Sequence, residues 1–150
     1  MPYFICPNCR RRSIDHDRRD GLTHQAVGCA SCGFGFLFEL MDDYYPGPTT
    51  AFLVCDHDRR VIASGRGVFE LTGYSEQELL GHDVTSALRI DTNGEPDPAE
   101  VATEWGVRRL GQQLTLRTRG GVTKDMTLDF FPAYDEDGGL LVALRPGPAA

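Results

Sequence analysis

At 150 residues, with 41% hydrophobic and 25% charged residues, the chain has the composition of a globular protein and the length for one ordinary domain, or for a small metal-held module and one compact domain. Its formal net charge of −7 is unevenly spread: residues 1–40 hold five arginines against four acids, a balance of +1, and the remaining 110 carry ten basic and eighteen acidic residues, a balance of −8. An acidic main body excludes non-specific phosphate-backbone binding by the whole chain, which depends on Lys and Arg. No apolar run approaches the roughly 20 residues of a membrane helix, and the opening Met-Pro-Tyr-Phe-Ile-Cys lacks a basic region followed by a hydrophobic core, so a cytoplasmic location without membrane association is expected.

The first motif is Cys6-Pro7-Asn8-Cys9, followed after nineteen residues by Cys29-Ala30-Ser31-Cys32-Gly33. Two residues between paired cysteines let both sulfurs face one ion from a tight turn, and two such turns supply the four thiolates of a tetrahedral site. The spacing predicts a zinc ribbon over residues 1–35 with one structural ion on Cys6, Cys9, Cys29 and Cys32. About 35 residues cannot bury enough apolar surface to offset their conformational entropy, so the metal is needed for folding. A disulfide framework does not suit a reducing compartment, and iron in a rubredoxin-like site uses the same ligands but fits the short connection less well. His16 and His24 are read as loop histidines, since four thiolates complete the site. Gly33 follows its knuckle as the sharp backbone turn requires; Arg10, at the equivalent place in the first knuckle, does not.

Arg10, Arg11, Arg12, Arg18 and Arg19 form a candidate contact surface for nucleic acid or an acidic protein. Against this, Asp15, Asp17 and Asp20 neutralise the same loop, and a solvated hairpin is the favoured reading. Residues 36–50 read as an aromatic connector and linker. Phe34, Phe36 and Phe38 alternate as in a strand, Leu37, Leu40, Met41 and Tyr44 follow helical spacing, and Pro46-Gly47-Pro48 ends any helix. So aromatic a stretch needs burial: beneath a neighbouring sheet, against a second chain, or within the ribbon itself.

From residue 51 the pattern becomes strand, strand, helices and three strands. Ala51–Asp56 and Val61–Ala63 flank the turn His57-Asp58-Arg59-Arg60 as a hairpin. Val68, Phe69 and Leu71 mark a helical stretch interrupted at Thr72-Gly73-Tyr74, and Ser75 with Glu78 has the spacing of a capping box for a new helix ending at Gly81. Asp91–Pro98 is a polar loop and Ala99–Trp105 a helix. Leu110, Gln112, Leu114 and Leu116 alternate with more polar residues, as do Met126, Leu128 and Phe130, and Asp135-Glu136-Asp137-Gly138-Gly139 turns the chain into Leu140–Leu144. The expected class is α+β: a five-stranded antiparallel sheet with helices on one face, plus the small N-terminal ribbon.

Residues 51–146 resemble a PAS domain. The resemblance is carried by Phe-Leu-Val-Cys-Asp (52–56), Val-Ile-Ala-Ser-Gly (61–65), Phe-Glu-Leu-Thr-Gly-Tyr-Ser-Glu-Gln-Glu-Leu-Leu-Gly (69–81) and the last strand after Asp137-Gly138-Gly139. It implies a sheet cupping a ligand or filled by side chains, and signalling through dimer or partner contacts. Flavin-binding members carry an Asn-Cys-Arg-Phe-Leu-Gln string that this sequence lacks, and haem-binding members use an axial ligand, usually His, that Ala99–Trp105 does not supply. Neither flavin nor haem is expected. Cys55 is read as a small buried apolar residue and His82 as a surface residue. Trp105 and Gln112 are the candidates to line a pocket, against readings as a core-capping aromatic and a satisfied polar group.

No Gly-rich phosphate loop and no Ser–His–Asp ordering is present, and the most nucleophilic thiolates are assigned to metal, so the expected activity is non-enzymatic. The function expected is that of a regulatory adaptor with a protein partner and homodimer formation. Two alternatives stand beside it: a nucleic-acid- or transcription-associated factor using the arginine loop, and a zinc–thiolate redox sensor.

Overall fold

The structure is a computed structural model and describes residues 3–9, 12–13, 38–40, 47, 49–92, 94–132 and 139–147. Among these, three short strands near the N-terminus, β1 (Tyr3–Ile5), β2 (Arg12–Ser13) and β3 (Phe38–Leu40), form an antiparallel sheet in the order β2-β1-β3. Tyr3 stands opposite Leu40 and Ile5 opposite Phe38, so Phe38 is in a strand as its alternation predicts and Leu40, read at helical spacing, is in the same strand; Phe34, Phe36, Leu37, Met41 and Tyr44 lie outside the described residues.

The larger sheet has five strands, β4 (Ala51–Cys55), β5 (Val61–Ser64), β6 (Arg109–Arg117), β7 (Thr123–Pro132) and β8 (Leu140–Pro146), ordered β5-β4-β8-β7-β6 with every neighbour antiparallel. Four helices separate β5 from β6: α1 (Val68–Thr72), α2 (Glu76–Leu79), α3 (Val84–Ala87) and α4 (Pro98–Trp105). Local chemistry sets most of their boundaries. The Asp56 carboxylate accepts from Asp58 N at 2.9 Å and Arg60 N at 3.0 Å and closes the β4–β5 turn. The capping box forms as predicted, with Ser75 Oγ accepting from Glu78 N at 3.3 Å and Glu78 Oε1 accepting from Ser75 N at 3.0 Å. Asp97 caps α4 ahead of Pro98, and Gly106 ends it at φ 65°.

Helix α3 has no counterpart in the sequence reading. Val-Thr-Ser-Ala is a single turn of mediocre helix formers, held by Asp83 accepting from Ser86 N at 3.1 Å and by the bond from Val84 N to Arg59 O at 2.9 Å.

Alternate residues of the strands divide into two apolar clusters. Leu53, Cys55, Leu128, Phe130, Val142 and Leu144 face the helices and pack with Val68, Leu79, Val84, Leu88, Ala99 and Ala102. Phe52, Val54, Ala63, Phe131, Leu141 and Ala143 face the other way and are also buried, in a cluster with Ile5 of the N-terminal sheet. The second cluster corrects the expectation of alternation between core and solvent along β7: Thr127 is 3% and Asp129 1% exposed. Over β4, β8 and the end of β7 both faces of the sheet are buried, the outer one in the cluster that includes Ile5, while Asp129 is bonded to Gly111 and Arg145, and Thr127 to Gly147 O.

A further correction falls on β6, where Leu110 is 40% exposed although Leu114 and Leu116 are buried. The register slips between Arg109 and Gln112, with Arg109 opposite Phe130 and Gln112 opposite Leu128, so one extra residue is accommodated around Gly111 at φ 66°. Such a bulge reverses the phase of every residue before it.

Candidate functional site

The first cysteine pair occupies the turn between β1 and β2. Cys6 is buried and Cys9 half-buried, and the Cys9 N–H points at Cys6 Sγ at 3.5 Å. An amide aimed at the first sulfur of a Cys-x-x-Cys turn stabilises a thiolate. This pair therefore fits a tetrahedral thiolate site from its own side. Cys29 and Cys32, the other expected ligands, lie outside the described residues, as do Arg10, Arg11, Arg18 and Arg19; Arg12 is described as part of β2.

The turn is seated on the larger domain. Ile5, fully buried, enters the cluster on the outer sheet face beside Phe52, Val54 and Ala63. At the end of β5, Gly65 leaves room for the knuckle backbone: a Cβ placed there would stand 2.1 Å from Pro7 O and 3.2 Å from Asn8 Cα. Gly65 is tied to β4 by its N–H bond to Phe52 O at 2.9 Å. No sequence signal marks this role, because the need for a glycine comes from a segment some sixty residues away rather than from its own φ, which lies outside the left-handed region.

On the same outer face, at the far side of the sheet, Asp129 accepts from Gly111 N at 2.7 Å and from Arg145 Nη2 at 3.1 and 3.2 Å through its two oxygens. Asp129 is thus a buried carboxylate satisfied by a backbone amide and a guanidinium, an arrangement that orients strands β6, β7 and β8 rather than one set up for proton transfer. Nearby, Gln113, Leu114, Thr115, Asp125 and Met126 line a cleft of about 230 Å³. Thr115 Oγ1 donates to Asp125 Oδ1 at 2.9 Å within it. That volume lies below the roughly 300–1,000 Å³ of ordinary small-molecule sites.

The residues named as pocket candidates are not brought together in the core. Trp105 is 75% exposed, which corrects both its pocket-lining and its core-capping readings. The reason is that α4 approaches the sheet through Pro98, Ala99 and Ala102, and its last turn leaves the indole outside. Gln112 is half-buried and its Nε2 donates to Leu110 O at 3.1 Å, a local bond across the bulge. Cys55 is buried among the helix-facing side chains, and burial, reinforced by the Asp56 and Asp83 charges, pushes its thiol far above the ordinary range. His82 is exposed.

The helix-facing side of the sheet is closed by the motif that carried the PAS resemblance. Thr72 Oγ1 donates to Val68 O at 2.7 Å and accepts from Tyr74 N at 3.2 Å, Tyr74 Oη donates to Arg117 O at 3.3 Å, and Arg119 N donates to Thr72 O at 2.9 Å. The Glu78 carboxylate pairs with Arg119 Nε, so helix α2 and the β6–β7 turn are held together. The Ser75 backbone bond and then the Arg119 bond hold the Glu78 carboxyl below the usual carboxylate range.

Solved structures share this architecture. The chain is similar to the PAS domain of a protein from Colwellia psychrerythraea at 20% identity, with a TM-score of 0.55 over 67% of this chain and 87% of that one. It is similar to the fungal blue-light photoreceptor Vivid, solved as a light-state dimer, at 15% identity with a TM-score of 0.58, over 70% of this chain and 82% of that one. A third match is the PAS domain of a nitrogen regulation protein from Vibrio parahaemolyticus, at 15% identity and TM-score 0.51, over 67% and 92%. No family model matches the chain, and no curated protein does. The fold of the larger domain is PAS-like, and no described helix is long and apolar enough to cross a membrane.

Proposed function

We propose that the chain is a non-enzymatic signalling or regulatory adaptor, in which a PAS-like sensor or docking domain is coupled to a four-cysteine zinc ribbon that serves as an interaction module. The observation that carries this reading is the seating of the Cys6–Cys9 turn on the PAS-like sheet, with Pro7 against Gly65 and Ile5 inside the outer-face cluster. A ribbon so attached is positioned to pass its state to the domain beneath it, and the domain to pass its state outward.

In this reading Cys6, Cys9, Cys29 and Cys32 hold one zinc ion, which supplies a cross-link that a segment of this size lacks. The helix-facing side of the sheet is filled by Leu, Val, Phe and Met side chains, which supports docking by the domain's surface over reception of a large cofactor. Among described residues, Trp105, Val107 and Leu110 are exposed apolar groups around the α4–β6 junction, and with the outer sheet face covered they are the surface proposed for a second copy of the chain in a homodimer.

Native mass spectrometry of the purified chain tests the reading in one measurement. One zinc per chain and a dimer are expected. Absence of stoichiometric metal, together with an N-terminal segment that stays ordered under a chelator, overturns the ribbon; a monomer at high concentration overturns the dimer. Salt-dependent binding of nucleic acid that is lost on replacing Arg10, Arg11 and Arg12 would transfer the assignment to a nucleic-acid-associated factor.

A further inference from the structure

We infer that the PAS-like sheet is a working part of the metal site: Ile5 and the bare backbone of Gly65 hold the first knuckle in ligand geometry, so that metal affinity is set in part by residues of the other module. This rests on the zinc-ribbon reading above and adds to it the coupling and the residues that carry it.

A free-standing ribbon satisfies its knuckles from within. Here the described knuckle, besides its own Cys9 N–H to Cys6 Sγ contact, is supported from outside. Ile5 and Cys6 are both fully buried, and the described neighbours of Ile5 in its apolar cluster, Phe52, Val54, Ala63 and Phe131 among them, belong to the PAS-like sheet. Pro7 O lies within 2.1 Å of where a side chain on Gly65 would begin, so the approach exists only because that position carries hydrogen alone. Gly65 has no positive φ, and an alanine there is compatible with its own backbone conformation; the contact with Pro7 is what a methyl would break. Because Gly65 is bonded to Phe52 O and lies two residues before Gly67, the N-cap of α1, displacement of the knuckle bears on both the inner strand β4 and the first helix. By linkage, whatever stabilisation the sheet gives the metal-bound knuckle, the bound metal returns to the sheet.

The test is zinc affinity of the full chain, measured by competition with a chromogenic chelator, for the natural sequence and for Gly65→Ala, Ile5→Ala and Gly120→Ala. Gly120 has open space around it and no positive φ, so its variant controls for the added methyl. Circular dichroism of each apo protein checks that the PAS-like domain is folded. Both Gly65→Ala and Ile5→Ala are expected to weaken zinc binding about tenfold or more with Gly120→Ala unchanged, and zinc is expected to raise the melting temperature of the PAS-like domain in the natural chain but less in the two variants. If the natural chain binds one zinc and both variants bind it equally well, the coupling is refuted and the ribbon stands. If the natural chain binds no zinc, the ribbon reading fails and takes this inference with it.

Discussion

The backbone N–H of Gly111 donates to Asp129 Oδ1 at 2.7 Å, across the bulge that separates Arg109 from Gln112 in register. One carboxylate thereby fixes an irregularity in β6 and, through Arg145, the neighbouring end of β8. A bulge normally leaves its extra residue without a ladder partner, and here a side chain supplies the acceptor.

Replacing Asp129 with Ala leaves the Gly111 amide and the Arg145 guanidinium without this acceptor in a part-buried setting. The expected cost is about 2–4 kcal/mol in chemical denaturation, whereas Asp129→Asn, which keeps one acceptor oxygen, is expected to cost less. Equal losses from the two variants would show that the hydrogen bond to Gly111 contributes nothing.

Glu78 gives a pH-dependent contribution whose sign is fixed. Its carboxyl titrates below its ordinary value of 4.5 in the folded chain, with the Ser75 bond as the main cause, so the stabilisation is present above that ordinary value and is lost as the pH falls through the lower folded one. The melting-temperature gap between the natural chain and Glu78→Gln should therefore be greatest near neutral pH and close as the pH falls through the lowered folded value. A gap that is constant across the range contradicts the assignment.

Ser75→Ala removes the other half of the capping box and should destabilise the domain by about 1 kcal/mol. Thermal unfolding measures it, and an unchanged midpoint would mean that α2 is held without its cap, by Leu79, the Arg119 pair and the bonds from Ser64 to Glu76.

Thiol labelling separates Cys55 from the rest of the five cysteines. Buried and held in its neutral form, Cys55 should label only at the rate of global unfolding, while the proposed ligand cysteines should become reactive as soon as a chelator removes the metal. Rapid labelling of Cys55 in the native, metal-loaded chain would contradict its placement.

Much of the fold was legible because local chemistry and tertiary context agree there. The capping box at Ser75 and Glu78, the turn after Asp56 and the period-2 pattern of Leu114 and Leu116 all mean the same thing in isolation and in the folded chain. What the sequence did not disclose lies where distant segments decide. Asp129 alternates with apolar neighbours and reads as solvent-facing, yet it is buried and bonded to Gly111 and Arg145. Leu110 continues the apolar phase of its strand until Gly111 shifts it. Trp105 reads as core by type, but Ala99 and Ala102 already fill the space against the sheet. Gly65 carries no local mark at all, since its requirement is the volume taken by Pro7. Within the candidate site, the tight turn of Cys6 and Cys9 was readable and its seating against Gly65 was not.

Burial of Phe52, Phe131 and Leu141 on the side of the sheet away from the helices has a consequence for how the polypeptide can be divided. A fragment starting at residue 51 would carry a greasy flank into water and should clump or recruit detergent, although every strand of its own sheet is present. The two segments are therefore expected to travel together as one heritable unit, and recombination that parts them would yield a sticky protein instead of a smaller soluble one.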